Sequence, residues 1–185
     1  MPHATPEQLE AALADVRRSP TDGGTLQMIV RRPALGEREV LDTGELDTAV
    51  GLVGDTWNQR ASSRMPDAQP HPDMQIALMN WRAVNAVANG NDTGALAGDQ
   101  LFVDLDLSAA NLPPGTRLGI GEAVIEVTDQ PHTGCAKFTQ RFGLDAHRWV
   151  NAPVGRELNL RGINTKVVVP GRISRGDGVS KVPLL

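Results

Sequence analysis

The stretch AGDQLFVDLDLSAANLPPGTRLGIGEAVIEVTDQPHTGCAKF, residues 97–138, decides the fold class. Asp99–Leu107 alternates apolar and polar side chains with the period of a strand. Pro113-Pro114-Gly115 supplies a turn, and Arg117–Ile120 and Ala123–Thr128 read as two further strands joined across Gly121. Directly after the last of these, on a turn rich in Pro and Gly, stands Cys135, the single cysteine of the chain.

Toward the N-terminus the pattern stays strand-like. Leu26–Val30 begins a strand, a hairpin is expected around Pro33–Gly36 with Glu39-Val40-Leu41 returning, and Gly51–Asp55 makes a turn. Trp57–Asp73 has few aliphatics and three prolines, so it is expected as a long surface loop, the kind that often carries function. Ile76 to Ala88 reads as a strand end running into a helix that Asn89-Gly90 terminates. Ahead of all this, Thr5-Pro6-Glu7 with Leu9, Leu13 and Val16 predicts a helix ending near Arg18. Beyond Cys135, Phe138–Trp149 holds a short helix, Leu158–Ile163 and Lys166–Val169 read as strands, and Pro170-Gly171 turns the chain. The fold class is therefore α+β and β-rich, with two or three helices, and closure into a barrel-like sheet avoids exposed edges. Residues 1–23 are expected as an N-terminal helical extension and 24–185 as the domain proper.

A chain of 185 residues with 40% hydrophobic and 22% charged side chains has the composition of a packed globular domain. The start MPHATPEQLE has neither a basic nor an apolar leader region, and no apolar run is long enough to span a bilayer, so a cytoplasmic protein without membrane attachment is expected. One cysteine excludes an internal disulfide framework and a zinc site of several thiolates. Charge is unevenly placed: residues 1–129 carry 9 basic and 19 acidic side chains, residues 130–185 carry 9 and 3. The basic segment, which contains Cys135, favours an anionic ligand. Nucleic acid is not the expected partner, because the acidic majority and only three Trp, three Phe and no Tyr leave little for base stacking. No G-x-G-x-x-G opens a helix after a strand, so no flavin- or NAD-binding segment is expected.

Cys135 sits at the end of an apolar strand, where His132 and Lys137 are close enough in sequence to activate a thiol. A small buried hydrophobe is the competing reading, since cysteine is among the most buried residue types.

The ordered set GLVGD (51–55), AGDQLFVDLDLS, LPPGTRLGIGEAVIEVTDQPHTGCAKF, RFG with WVN, and LRGI with VVVPGRISRGD resembles the MOSC domain, found at the C-terminus of molybdenum cofactor sulfurases and alone in small bacterial proteins. The resemblance runs from about Leu26 to Lys181. It implies a barrel-like fold whose cysteine, here Cys135, binds molybdenum of a pterin cofactor or carries sulfur for it. It implies molybdopterin as cofactor, an external electron-donor protein or sulfur donor as partner, and reduction of N-hydroxylated compounds or sulfur handling as activity. A non-catalytic module that carries sulfur or cofactor, or binds another protein, is the alternative. Cofactor-binding positions are then Asp55, Arg60, His71 and Asp73 on the loop, His132 and Lys137 around the cysteine, and Arg161 and Asn164 in LRGIN. In His71-Pro72-Asp73-Met74-Gln75, Gln75 stands where the resemblance implies an arginine.

Overall fold

The computed structural model describes residues 2–183. Helix α1 (Pro6–Val16) opens the chain, closed at its start by a capping box in which the Thr5 hydroxyl accepts from Gln8 N–H and the Gln8 side chain accepts from Thr5 N–H. Strands β1 (Gly24–Arg31), β2 (Glu39–Leu41), β3 (Thr43–Asp47) and β4 (Gly51–Leu52) follow. After the long loop come β5 (Ile76–Asn80), α2 (Trp81–Ala88), β6 (Leu101–Asp104), β7 (Arg117–Ile120) and β8 (Ala123–Val127). Beyond Cys135 lie α3 (Ala136–Asn151), α4 (Pro153–Glu157), β9 (Ile163–Val169), β10 (Gly171–Ser174) and β11 (Gly178–Val182).

Seven strands close into a mixed barrel in the order β1-β11-β7-β8-β9-β5-β6, with β6 returning to β1. Closure pairs Gly24 with Val179 and Thr25 with Gly178, and β2 pairs with the other end of β1, from Ile29 to Arg31. Every neighbouring pair is antiparallel except β5 and β6, whose parallel pairing is joined through α2. A small sheet, β10-β3-β4, lies beside the barrel and adds Leu46, Leu52 and Ile173 to its core.

Strand alternation sorts the apolar residues into two cores. Leu78, Leu101 and Val103 join the cluster that fills the barrel, whereas Met79 and Phe102, one residue along, face outward into a second cluster with Leu9, Leu13, Val84, Phe138, Phe142 and Trp149. Strands β5 and β6 are therefore covered on both faces, which is why they read as nearly unbroken apolar runs. Helix α1 packs on α2 and α3 through this second cluster.

Two expectations are corrected. Leu158–Ile163 is no strand: Pro153 starts the short α4, Asn159 (φ 47°) and Gly162 (φ 104°) turn the chain left-handed, and pairing begins only at Ile163. The Leu158/Leu160 alternation that suggested a strand instead puts both side chains in the helix-side core. The helix expected over Phe138–Trp149 extends from Ala136 to Asn151 and is broken at Gly143, whose φ of 88° only glycine adopts readily.

Candidate cofactor site at the barrel mouth

Four strand ends meet where β1 and β8 finish and β6 and β9 begin, and the loop after β4 covers them. Arg32, just past β1, is clasped by Asp55: Nε to Oδ2 and Nη2 to Oδ1 are both 2.7 Å, and Nη1 donates to the Gly98 carbonyl at 2.9 Å. Asp55 also accepts from the Arg32 and Trp57 backbone N–H groups, so its oxygens are fully engaged. A second pair stands alongside: Arg161 Nη1 donates to Asp99 Oδ2 at 2.6 Å, its Nη2 donates to the Ala97 carbonyl, and the guanidinium lies over the Phe138 ring at 5.0 Å. Gly162, the next residue, lets the chain pass close to β5, since a Cβ there would lie 2.1 Å from the Leu78 carbonyl oxygen.

These pairs place carboxylates behind and cations in front. A cavity of about 720 Å³ opens at the mouth, and Cys135 lines it together with Arg32, Arg38, Arg60, Lys137, Arg141 and Arg161. No carboxylate is among its lining residues. Arg38 is pushed down to about 10 by burial and by the neighbouring Arg141, Arg32 and Arg60; burial and Arg32 likewise lower Arg60, against Asp55. Cations that depress one another are short of anions, and a bound anion relieves them. A smaller compartment of about 390 Å³ shares the wall formed by Arg32, Arg60, Ala61, Gly98 and His132 and continues to Arg64, His71 and Asn164.

Cys135 itself is exposed and heads α3, with no side-chain capping bond. Asn151 fixes the turn before it by accepting from Gly134 N–H at 3.1 Å, and Thr139 N–H donates to the Cys135 carbonyl at 3.0 Å. The buried-hydrophobe reading of this cysteine is overturned by its exposure. His132, three residues upstream, has its pKa lowered to about 3 by burial first and then by Arg161, Arg32 and Arg64, which outweigh Asp99. It is a neutral imidazole in a cationic wall.

Of the positions expected from sequence, Arg60, His132, Lys137 and Arg161 share the larger cavity with Cys135, and His71 and Asn164 line the smaller one. The Asn164 amide also donates to the Gln130 carbonyl at 3.1 Å and holds the loop that leads to Cys135. Asp55 does not face the cavity; it holds Arg32. Asp73 is not brought to the mouth: its carboxylate pairs with Lys166 at 3.1 Å, and its carbonyl accepts from Thr128. Gln75 is not at the mouth either; it is buried, its amide bridging the Thr48 carbonyl and Val167 N–H. Sequence reasoning did not single out Arg32, Arg38, Asp99 or Arg141 as site residues. Arg32 is the second of the Arg31-Arg32 pair that ends an apolar strand, and nothing local marks it, rather than Arg31, as the one buried with a partner.

This is a small barrel protein that presents a lone thiol at a mouth lined by cations. The MOSC domain model matches residues 55–180, and the chain belongs to the MOSC domain family. Among curated proteins no significant match is found. The fold is similar to that of the YuaD protein from Bacillus subtilis (TM-score 0.65, 17% identity, covering 88% of this chain and 97% of that one). It is also similar to YiiM from Escherichia coli (TM-score 0.56, 20% identity, 87% and 71% covered). Among the described residues no helix is long and apolar enough to cross a membrane.

Proposed function

We propose that this protein binds the pterin molybdenum cofactor at the barrel mouth, with the Cys135 thiolate as the protein's ligand to the metal, and reduces N-hydroxylated compounds with electrons from a separate donor protein. The observation that carries the reading is the exposed thiol of Cys135 in the wall of a cavity lined by six cations and no carboxylate. The residues fit the cofactor. A thiolate suits a soft metal–sulfur centre, and arginines suit a phosphate, which they can bind through paired N–H donors. Among the described residues no group of three or more His, Cys, Asp or Glu is arranged to hold a metal ion, so Cys135 would be joined by ligands that the cofactor brings.

When bound, the cofactor supplies a two-electron redox centre. The overall change breaks the N–O bond of R–NH–OH, takes two electrons from the donor protein and two protons, and releases R–NH2 and water. The protein's own residues bind and orient: Arg38, Arg60, Lys137 and Arg141 hold the anionic end, and Asp55 and Asp99 fix Arg32 and Arg161 in place.

A second reading, a carrier of cofactor or of sulfur on Cys135, rests on the same exposure, because a surface thiol is open to a partner protein. The test is molybdenum analysis with pterin fluorescence on protein from a cofactor-competent host, beside Cys135→Ser. Near-stoichiometric molybdenum and pterin, lost in the variant, support the metal ligand. Turnover with an artificial electron donor then separates reductase from carrier. Native protein without molybdenum and pterin leaves sulfur transfer or a structural module.

A further inference from the structure

Asp99 is fully buried, and Arg161 occupies only one of its oxygens. The other, Oδ1, has no hydrogen bond among the described residues; His132 Nδ1, itself buried and without a partner, lies 3.4 Å from it, and Arg161 Nε is buried and unpaired as well. A carboxylate oxygen can only accept, so a proton on Nδ1 suits this contact where a lone pair would face the carboxylate, and the favoured tautomer carries the proton on Nδ1 and the lone pair on Nε2. With Nδ1 turned to Asp99, the ring meets the cavity through its other edge, on the wall that the two compartments share. That wall is otherwise a set of donors. In the Cys135 compartment only Gln140 and His132 offer a side-chain oxygen or nitrogen as acceptor.

We propose that His132, oriented by Asp99, is the acceptor that receives an N–H or O–H of the substrate, so that the site selects neutral amidoximes and hydroxylamines over N-oxides, which carry no donor. Asp99 is then a positioning residue. The inference rests on the reductase reading above and adds the feature of the substrate that is read. Leaving a polar ring nitrogen unpaired in a site built to accept a donor is what makes such discrimination strong.

The test compares native protein, His132→Phe and His132→Gln, each purified from a cofactor-competent host and assayed for molybdenum. Affinities for benzamidoxime, which has donors, and pyridine N-oxide, which has none, are measured by calorimetry, and turnover is followed with a reduced viologen. The expected result is unchanged molybdenum and an affinity ratio that falls about tenfold in His132→Phe, the worth of one hydrogen bond. The loss appears in KM, and His132→Gln, which keeps an acceptor, recovers part of it. Nitrogen-15 NMR of the ring, readable without cofactor, is expected to show the Nδ1–H tautomer. An Nε2–H tautomer, an unchanged ratio in His132→Phe, or loss of molybdenum in that variant overturns the proposal while leaving the reductase reading in place. Native protein that lacks molybdenum and pterin overturns both.

Discussion

Asp55 stands behind Arg32 as seen from the cavity, and two 2.7 Å bonds lock the carboxylate to the guanidinium. Asp99 holds Arg161 in the same relation. Burying an arginine at a barrel mouth is costly unless a carboxylate accompanies it, and placing that carboxylate on the far side neutralises the pair while the donors still face a ligand. In Asp55→Asn the Arg32 charge stays buried with its counterion removed. The expected cost is about 3 kcal/mol, the range for breaking a buried pair, read as a lower urea midpoint with an unchanged slope.

Arg38 is expected to behave in the opposite way. Its side chain pays for burial and for the nearness of Arg141, Arg32 and Arg60, and no carboxylate accepts from it. Arg38→Met removes that repulsion, so the melting temperature of ligand-free protein is expected to hold or rise. The added stability that inorganic phosphate gives native protein by binding the folded state is expected to shrink in the same variant. Thermal melts with and without phosphate read both effects.

His132 sets an acid limb. Its folded pKa, about 3, lies below the ordinary value of 6.5. Above that ordinary value both folded and unfolded chains hold it neutral, and it adds no pH dependence. As pH falls toward 3 only the unfolded chain takes up the proton, so stability drops by about 1.4 kcal/mol per pH unit from this group. Urea unfolding across this window is expected to show that slope in native protein and a shallower one in His132→Gln.

Much of this was legible in the sequence for a physical reason: periodicity and turn chemistry are local. The Thr5 cap, the Asn89-Gly90 stop and the hairpin across Gly121 each depend on a few adjacent residues, and each formed as read. Leu158–Ile163 failed because a leucine alternation of three residues fits a turn as well as a strand. Cys135 stood out as the lone thiol on a Gly turn. Arg32, Arg38 and Asp99 did not, because what makes them part of the mouth is contact across 23 to 66 positions of chain, as in Arg32 with Asp55 and with Gly98. Asp73, expected as a cofactor-binding position on the loop, is instead taken by Lys166.

Gln75 gives the sharpest contrast between a position that resembles a ligand-binding one and what it does here. The arginine implied by the resemblance would bring a charge; the glutamine is 6% exposed and works as a strut. Its Nε2 donates to the Thr48 carbonyl beyond β3, its Oε1 accepts from Val167 N–H on β9, both at 2.8 Å, and its own carbonyl accepts from the Gln100 side chain. The small sheet is thereby tied to the barrel through one side chain. Gln75→Leu keeps the volume, takes the donor from the part-buried Thr48 carbonyl and leaves the buried Val167 N–H unpaired, an expected loss of about 2 kcal/mol. Gln75→Arg adds an unpaired buried charge and is expected to lower the urea midpoint further. Because neither side-chain contact of Gln75 reaches the mouth, molybdenum content per folded molecule is expected to stay at the native level in Gln75→Leu. Normal stability with lost molybdenum would instead put Gln75 in the binding site.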